Sequence, residues 1–371
     1  MTEERLLRRE EERLLRENVE HLHGPEEVSY AADELMVVCL VRDGRPYIKS
    51  FVEHYRYIGA KHVTFLDNGS EDGTVEALKK YDNVTVLRTE LSYKAPGGTV
   101  GNSWTREVLF KQYLVSRFGG QNRWCLCADI DELFDYPYSD IVGLNSFLGY
   151  LNSRSYTALA TQMLDMFPEE PLSEQSKSVD EPLKQRHRFY DISNIDKVRM
   201  KGTDYLRTRD TTLESEEIES FRGGIRDTLF STFPYLTKVP LVFLDGETRP
   251  MDGSSHRVGV ARIADVTGVL FHYKFLDEHF HGQVAQAVRE EHGIMNSAKY
   301  KMYKEVLDNS PSLTVKLETA TEFLGLNDLL DRLSPAFGES ARHAAYSARW
   351  RSRSNFARPY MLRLIAFNFV T

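Results

Sequence analysis

The chain opens with leucines at positions 6, 7, 14, 15 and 22 among Glu and Arg, close to one apolar contact per heptad. That spacing predicts a helix, read either as a solvated extension or as a partner helix in a short coiled coil. After "HGPEE" the pattern becomes continuous. "LMVVCLV", residues 35–41, is an apolar run of strand length, as expected of a strand covered on both faces. Arg42, Asp43, Gly44 and Pro46 follow and suit the entry to a helix. In "YIKSFVEHYRYIG", Ile48, Phe51, Val52, Tyr55 and Ile58 fall on one helical face, and Gly59 stands where such a helix ends. "HVTFLD" predicts a second strand ending at Asp67, "NGSEDGTVEALKKY" a turn and helix, and "NVTVLR" a third strand. Strand, helix, strand, helix, strand at this spacing predicts a βαβαβ unit with a parallel sheet and right-handed crossovers.

A helix is predicted from about Trp104 to Arg117. Beyond it, "RWCLCA" reads as the fourth strand, with Asp129 at its carboxyl end, and "YTALATQML" as another, ending at Asp165. In open α/β sheets ligands bind outside the carboxyl ends of strands, so Asp67 and Asp129 are expected to converge on one crevice. Residues 168–232 are polar, with "EEPLSEQSKSVDEP" reading as a mobile loop or lid. Strand-like runs return at "KVPLVFL" and "GVLFHYKF", and helical patterns take over after Asp277. The domain expectation is a helical N-terminal extension over 1–28, a catalytic domain over 29–295, and a helical, basic region over 296–371.

Composition narrows the function classes. The 371 residues, 41% hydrophobic and 11% aromatic, suffice for a sizeable core. A net charge of −8 argues against a dedicated nucleic-acid binder, which needs surplus Lys and Arg on one face. Cys39, Cys125 and Cys127 lie in apolar runs without CxxC spacing, so packing is their expected role. No span of roughly 18 apolar residues occurs, and the N-terminus is mixed-charge where a signal peptide has an apolar core. A cytoplasmic protein is therefore expected. The tail, with Arg342, Arg349, Arg351, Arg353, Arg358 and Arg363 among aromatics, fits peripheral contact with an anionic bilayer, docking on an acidic partner, or a packed terminal helix. Oligomerisation through the terminal helices is a further open reading.

The chemistry concentrates in "CLCADIDELFDYP". Two carboxylates at i and i+2 where a strand gives way to a turn, Asp129 and Asp131, can both face a cation, and oxygen ligands in this arrangement suit Mg²⁺ or Mn²⁺ carrying substrate phosphates. A metal-bound nucleotide diphosphate would have its leaving-group charge neutralised. Hydration of a strand end is the plain alternative.

The order of "VVCLVRDGRPYIKSFVEHYRYIGAKHVTFLDNGSEDGT", "WCLCADIDELFDYP", "MLDMFP", "FRGGIRDTLF", "LTKVPL", "SSHRV" and "GVLFHYKF" resembles the family-two-like glycosyltransferases of the GT-A fold. Within them it is most similar to the bacterial branch with a DNGSxDGT turn and a DxDEL strand end. The resemblance spans roughly residues 35–295. It departs where typical members carry Arg-Asn-Glu after the first strand, since Arg42, Asp43 and Gly44 stand there. It implies an α/β, GT-A (Rossmann-like) catalytic domain with a mostly parallel central sheet. It also implies a metal-dependent, inverting hexosyl transfer from a nucleotide-diphosphate sugar, UDP-linked by expectation, to a glycan or lipid-linked acceptor in cell-surface polysaccharide synthesis. Residue by residue, Asp67 matches the acid that reads the nucleobase, with turn formation as its simpler role. Asp129 matches the first DxD acid near ribose and metal, and Asp131 the direct metal ligand.

A third metal ligand is expected late in the domain, with His272 placed ahead of His256. Inverting transfer needs a general base; Asp165 is preferred, and Glu132 and Asp227 compete. Arg226 and Lys238 are expected beside the diphosphate, and Arg42 flanking the nucleotide. The alternatives are a catalytically degenerate sugar-nucleotide or carbohydrate binder and a HAD-type phosphatase. The phosphatase also uses DxD, but its strand usually comes first in the domain.

Overall fold

A computed structural model of the chain describes residues 3–93, 106–118, 122–175, 181–201, 210–252, 254, 256–289, 294–310 and 312–333. The predicted βαβαβ frame is present as β2 (Leu35–Val41), α2 (Ile48–Ile58), β3 (His62–Asp67), α3 (Thr74–Leu78) and β4 (Val84–Arg88). Strand β2 is buried along its whole length because both faces are covered. Its odd-numbered residues pack with Phe51 and Tyr55 of α2, while Met36, Val38 and Leu40 pack with Leu109 and Leu114 of α4 (Arg106–Phe118) on the other face. Alternation along a strand divides one apolar run between two cores. Gly59 ends α2 at φ 99°, a left-handed conformation that leaves Ala60 N–H to reach the Tyr55 carbonyl at 2.9 Å.

The N-terminal segment is not purely the helical extension expected over 1–28. Helix α1 (Glu3–Glu17) buries Leu15 in the α4-side core and ties to α4 through Glu11–Arg106 (2.8 Å) and Arg8–Gln112 (2.7 Å). The chain then adds β1 (Glu20–His23) antiparallel to β4, as an edge of the main sheet. Among the described residues, α1 packs on α4 of the same chain.

Past α4 come β5 (Arg123–Cys127), β6 (Glu132–Asp135), α5 (Leu144–Ser153), β7 (Ala158–Asp165), α6 (Ile225–Phe230), β8 (Thr237–Leu244) and β9 (Gly268–His272). The main sheet runs β1-β4-β3-β2-β5-β8-β7 and continues into two-residue strands Arg262–Ile263 and Thr212–Leu213, while β9 pairs with β7 and β6. The fold is mixed α/β with a large, mainly parallel central sheet and flanking helices. Its parallel order is broken where β8 lies antiparallel to both β5 and β7. The polar stretch after residue 168 contains a short helix, Leu183–Arg186, and a ribbon pairing Ile195–Arg199 with Glu219–Gly223.

Helices α7 (Asp277–Arg289) and α8 (Ile294–Asn309) follow, then α9 (Leu326–Leu333). A third apolar cluster, including Phe230, Phe275, Phe280 and Tyr303, fastens α6 to α7 and α8. Among the described residues no helix is long and apolar enough to cross a membrane. The arginine-rich tail and Trp104 lie outside the described residues.

Candidate active site

Strands β2, β3, β5, β7 and β9 present their carboxyl ends on one side of the sheet, and register fixes which residues meet there. His272 stands opposite Asp165 in the parallel β7–β9 pair and opposite Glu132 in the antiparallel β6–β9 pair. The Tyr273 N–H donates to the Asp131 carbonyl at 2.8 Å, locking the DxD turn against the end of β9. Because β8 runs the opposite way, it is the start of that strand, Thr237 and Lys238, that arrives at this edge.

Two charged networks result. In the first, His272 Nε2 faces Asp131 Oδ2 at 3.2 Å, while His272 Nδ1 is 2.5 Å from Asp165 Oδ1. The second oxygen of Asp165 accepts from Arg226 Nε at 2.7 Å. His272, Asp165 and Arg226 are all buried. Burial works against each charged form, but the partners outweigh it: Arg226 and His272 hold the Asp165 carboxyl down at about 2, and Asp131 with Asp165 raises His272 above its usual range. Asp131 is likewise held low, His272 and Lys274 overriding its burial.

In the second network Asp129 lies between two ammonium groups, Lys111 Nζ at 2.6 Å from Oδ1 and Lys238 Nζ at 2.8 Å from Oδ2. Lys238 also donates to Glu132 Oε1 at 2.5 Å, and Glu132 Oε2 accepts from the Asp129 N–H at 3.1 Å. Lys111 reaches back to Glu107 at 2.6 Å. The two lysines draw Asp129 well below the usual carboxylate range despite its burial, whereas burial dominates at Glu132 and raises it.

The structure therefore gives several expected site residues different surroundings from those anticipated. Asp165 ends β7 as predicted, but both its oxygens are engaged inside the protein and no open oxygen faces an acceptor. Glu132 is as buried, beneath Lys238. Arg226 and Lys238, expected beside a diphosphate, are buried counter-ions to carboxylates. Asp67 is fully buried and accepts from the Gly69 and Ser70 N–H groups at 3.2 Å, the turn contacts expected of it. Asp227 caps its own loop by accepting from the Phe233 N–H at 2.9 Å. His256 places Nδ1 2.8 Å from the Thr237 carbonyl, and burial lowers it to about 3. Arg42 is partly exposed just past β2, with Asp43 3.7 Å away and its Nε without a hydrogen-bond partner among the described residues.

Three lysines of this region were not expected: Lys111, Lys274 and Lys299. Lys111 was visible as the one charge between Val108 and Val115 on an otherwise apolar stripe of α4. Lys274 follows His272 at the i+2 spacing of strand residues sharing a face, and Lys299 precedes the buried Tyr303 by one helical turn.

For a divalent cation, the fitting donors are Asp131 and the Nε2 of His272. The contact from Asp165 to Nδ1 leaves Nε2 as the nitrogen turned toward Asp131, the arrangement in which a carboxylate orients a metal-binding imidazole. Asp129 fits less well, its oxygens being taken by lysines. Among the described residues no three His, Cys, Asp or Glu side chains converge on a cation-sized point.

No family model matches the chain, and no curated protein matches it. Among solved structures it is similar to S. aureus TarS 1-349, at 13% identity over 87% of this chain and 94% of that one, with a TM-score of 0.30. A longer S. aureus TarS structure is matched at 11% identity, covering 86% of this chain and 53% of that chain, with a TM-score of 0.30. It is also similar to the mannosyltransferase PcManGT from Pyrobaculum calidifontis, determined with GDP-Man and Mn²⁺, at 12% identity over 94% of this chain and 95% of that one, with a TM-score of 0.29.

Proposed function

We propose that this chain is a metal-dependent glycosyltransferase that takes a sugar from a nucleotide-diphosphate donor, UDP-linked by preference. The observation that carries the reading is the Asp131–His272 pair at the carboxyl edge of the sheet, oriented from behind by Asp165 and Arg226. An oxygen and an imidazole nitrogen are a suitable donor set for Mn²⁺ or Mg²⁺, and two protein ligands leave room for substrate phosphates. When bound, the ion would neutralise charge on the departing diphosphate.

The chain's own residues have separable tasks in this reading. Asp165 and Arg226 are positioning residues that set the imidazole. Lys111 and Lys238 hold the Asp129 carboxylate and keep it from competing for the cation. Arg42 flanks the nucleotide, and Asp67 shapes the turn that borders it. For Asp165 or Glu132 to take a proton from an acceptor hydroxyl, its arginine or lysine must first be displaced. A glycan or lipid-linked acceptor and inversion at the anomeric carbon follow from the sequence resemblance alone, and a cytoplasmic setting from the cysteine usage and the mixed-charge N-terminus.

A phosphatase would use Asp129 as nucleophile, and an ammonium on each of its oxygens disfavours that chemistry. The test is Mn²⁺-dependent release of UDP from a panel of UDP-sugars. Asp131→Asn is expected to lower release by at least about 100-fold while the far-UV spectrum is kept. Absence of nucleotide release from every donor, with and without glycan acceptors, would remove the enzyme reading in favour of a binding protein. Release of phosphate from simple esters would favour the phosphatase.

A further inference from the structure

Two lysines beside the first network have no carboxylate at ion-pair distance among the described residues. Lys274 and Lys299 approach the same aromatic ring: their Nζ atoms each lie 5.9 Å from the centroid of Tyr303. Lys274 also lies 5.7 Å from the Phe280 ring, and Lys299 5.4 Å from that of Tyr300. Lys274 and Tyr303 are buried, and the Tyr303 hydroxyl, which interacts with Arg226, has no partner at full hydrogen-bonding geometry among the described residues. Arg226, already paired with Asp165, contributes positive charge to the same cluster.

Cations gathered out of water repel one another and lose hydration, and aromatic faces return only about 0.5–2 kcal/mol each. An anion drawn between them would relieve both costs and supply an acceptor for the phenol. We propose that Lys274, Lys299 and the Tyr303 hydroxyl, backed by Arg226, form an anion subsite beside the Asp131–His272 pair that holds a phosphate group of a substrate. The phosphate belongs to the donor diphosphate or to a phosphorylated acceptor. The transferase reading bears only on that choice of source.

The surroundings of Lys299 add a proton to the event. Burial first, then Lys274 at the end of β9 and Arg226 on α6, bring its amine down to about 7, against the opposite pull of Asp165 on β7 and Glu107 on α4. Tyr300 and Tyr303 face it from its own helix. Above that value the free site holds mostly neutral amine. Anion binding favours the ammonium, so binding takes up a proton there and weakens as pH rises from about 7 to 9.

Calorimetric titration of the whole chain with pyrophosphate, without metal, tests this at pH 7.5 in two buffers of different ionisation enthalpy. The expected result is saturable binding with net proton uptake. Lys299→Met should weaken binding about tenfold or more and abolish the uptake. Lys299→Arg should retain binding without uptake, because its guanidinium does not titrate, and so separates charge from folding. Titrations with UDP and with glycerol phosphate identify the source as the ligand whose affinity depends on Lys299. No pyrophosphate binding by the wild-type chain, or undiminished binding by Lys299→Met, overturns the subsite. Pyrophosphate binding intact in a chain that releases no UDP from any sugar donor would instead remove the transferase reading and leave the subsite standing.

Discussion

At the residue scale, Asp129 and Asp131 sit two positions apart in opposite electrical settings. Asp129 is enclosed by two lysines, and Asp131 is left to His272. A spacing motif cannot encode that difference, because it depends on Lys111 and Lys238, which lie 18 residues before and 109 residues after Asp129. The sequence did show that Asp129 follows the end of β5, that Asp165 ends β7 and that His272 lies in a late strand. It did not show that Asp165 would be turned inward onto that histidine, since side-chain pairing across strands follows from register. Two expectations belong here. Asp165→Asn should weaken Mn²⁺ binding about 10- to 100-fold, read from the free-ion electron paramagnetic signal, with little change in circular dichroism. Lys238→Ala should cost about 3–5 kcal/mol of unfolding free energy by leaving the buried Glu132 carboxylate beside a missing ammonium, read from urea denaturation.

At the element scale, the apolar runs marked β2, β3, β4 and β5 closely, since strands covered on both faces need continuous apolar sequence. The edge strand β1 escaped notice because "EHLH" carries one apolar residue and is held by pairing with β4. Hydrophobicity was equally silent on the direction of β8, since a buried strand reads the same either way. The junction after β1 depends on Gly24, at φ 83°, where an added Cβ would lie 2.1 Å from the Val84 carbonyl oxygen. Gly24→Ala should therefore cost at least about 2 kcal/mol, seen as a lower melting temperature, and detach β1. Amide exchange in β4 would then quicken, and unchanged protection there would show that the edge does not rely on this turn.

At the scale of the whole molecule, buried neutral histidines tie stability to pH. His54 on α2, with Nε2 2.6 Å from the Phe134 carbonyl, is lowered to about 3 by burial, and His187, with Nε2 3.2 Å from the Phe275 carbonyl, to about 4. Their folded values lie below the unfolded value of about 6.5, so the unfolded chain binds the extra protons first. The stability they contribute is complete above pH 6.5, erodes as pH falls below it, and is lost by about pH 4 for His187 and pH 3 for His54. Urea midpoints should decline across that interval. His54→Gln should flatten the decline, and an unchanged profile in that variant would exclude His54 as a source. The same long-range wiring bears on how the protein is made. Because Asp129 waits for Lys238, and Asp131 for His272 and Lys274, a chain still growing on the ribosome displays its acids long before their partners exist. Such a chain should ignore donor and metal alike until residues past 274 have emerged, so ligand capture reports that the sheet edge has been assembled.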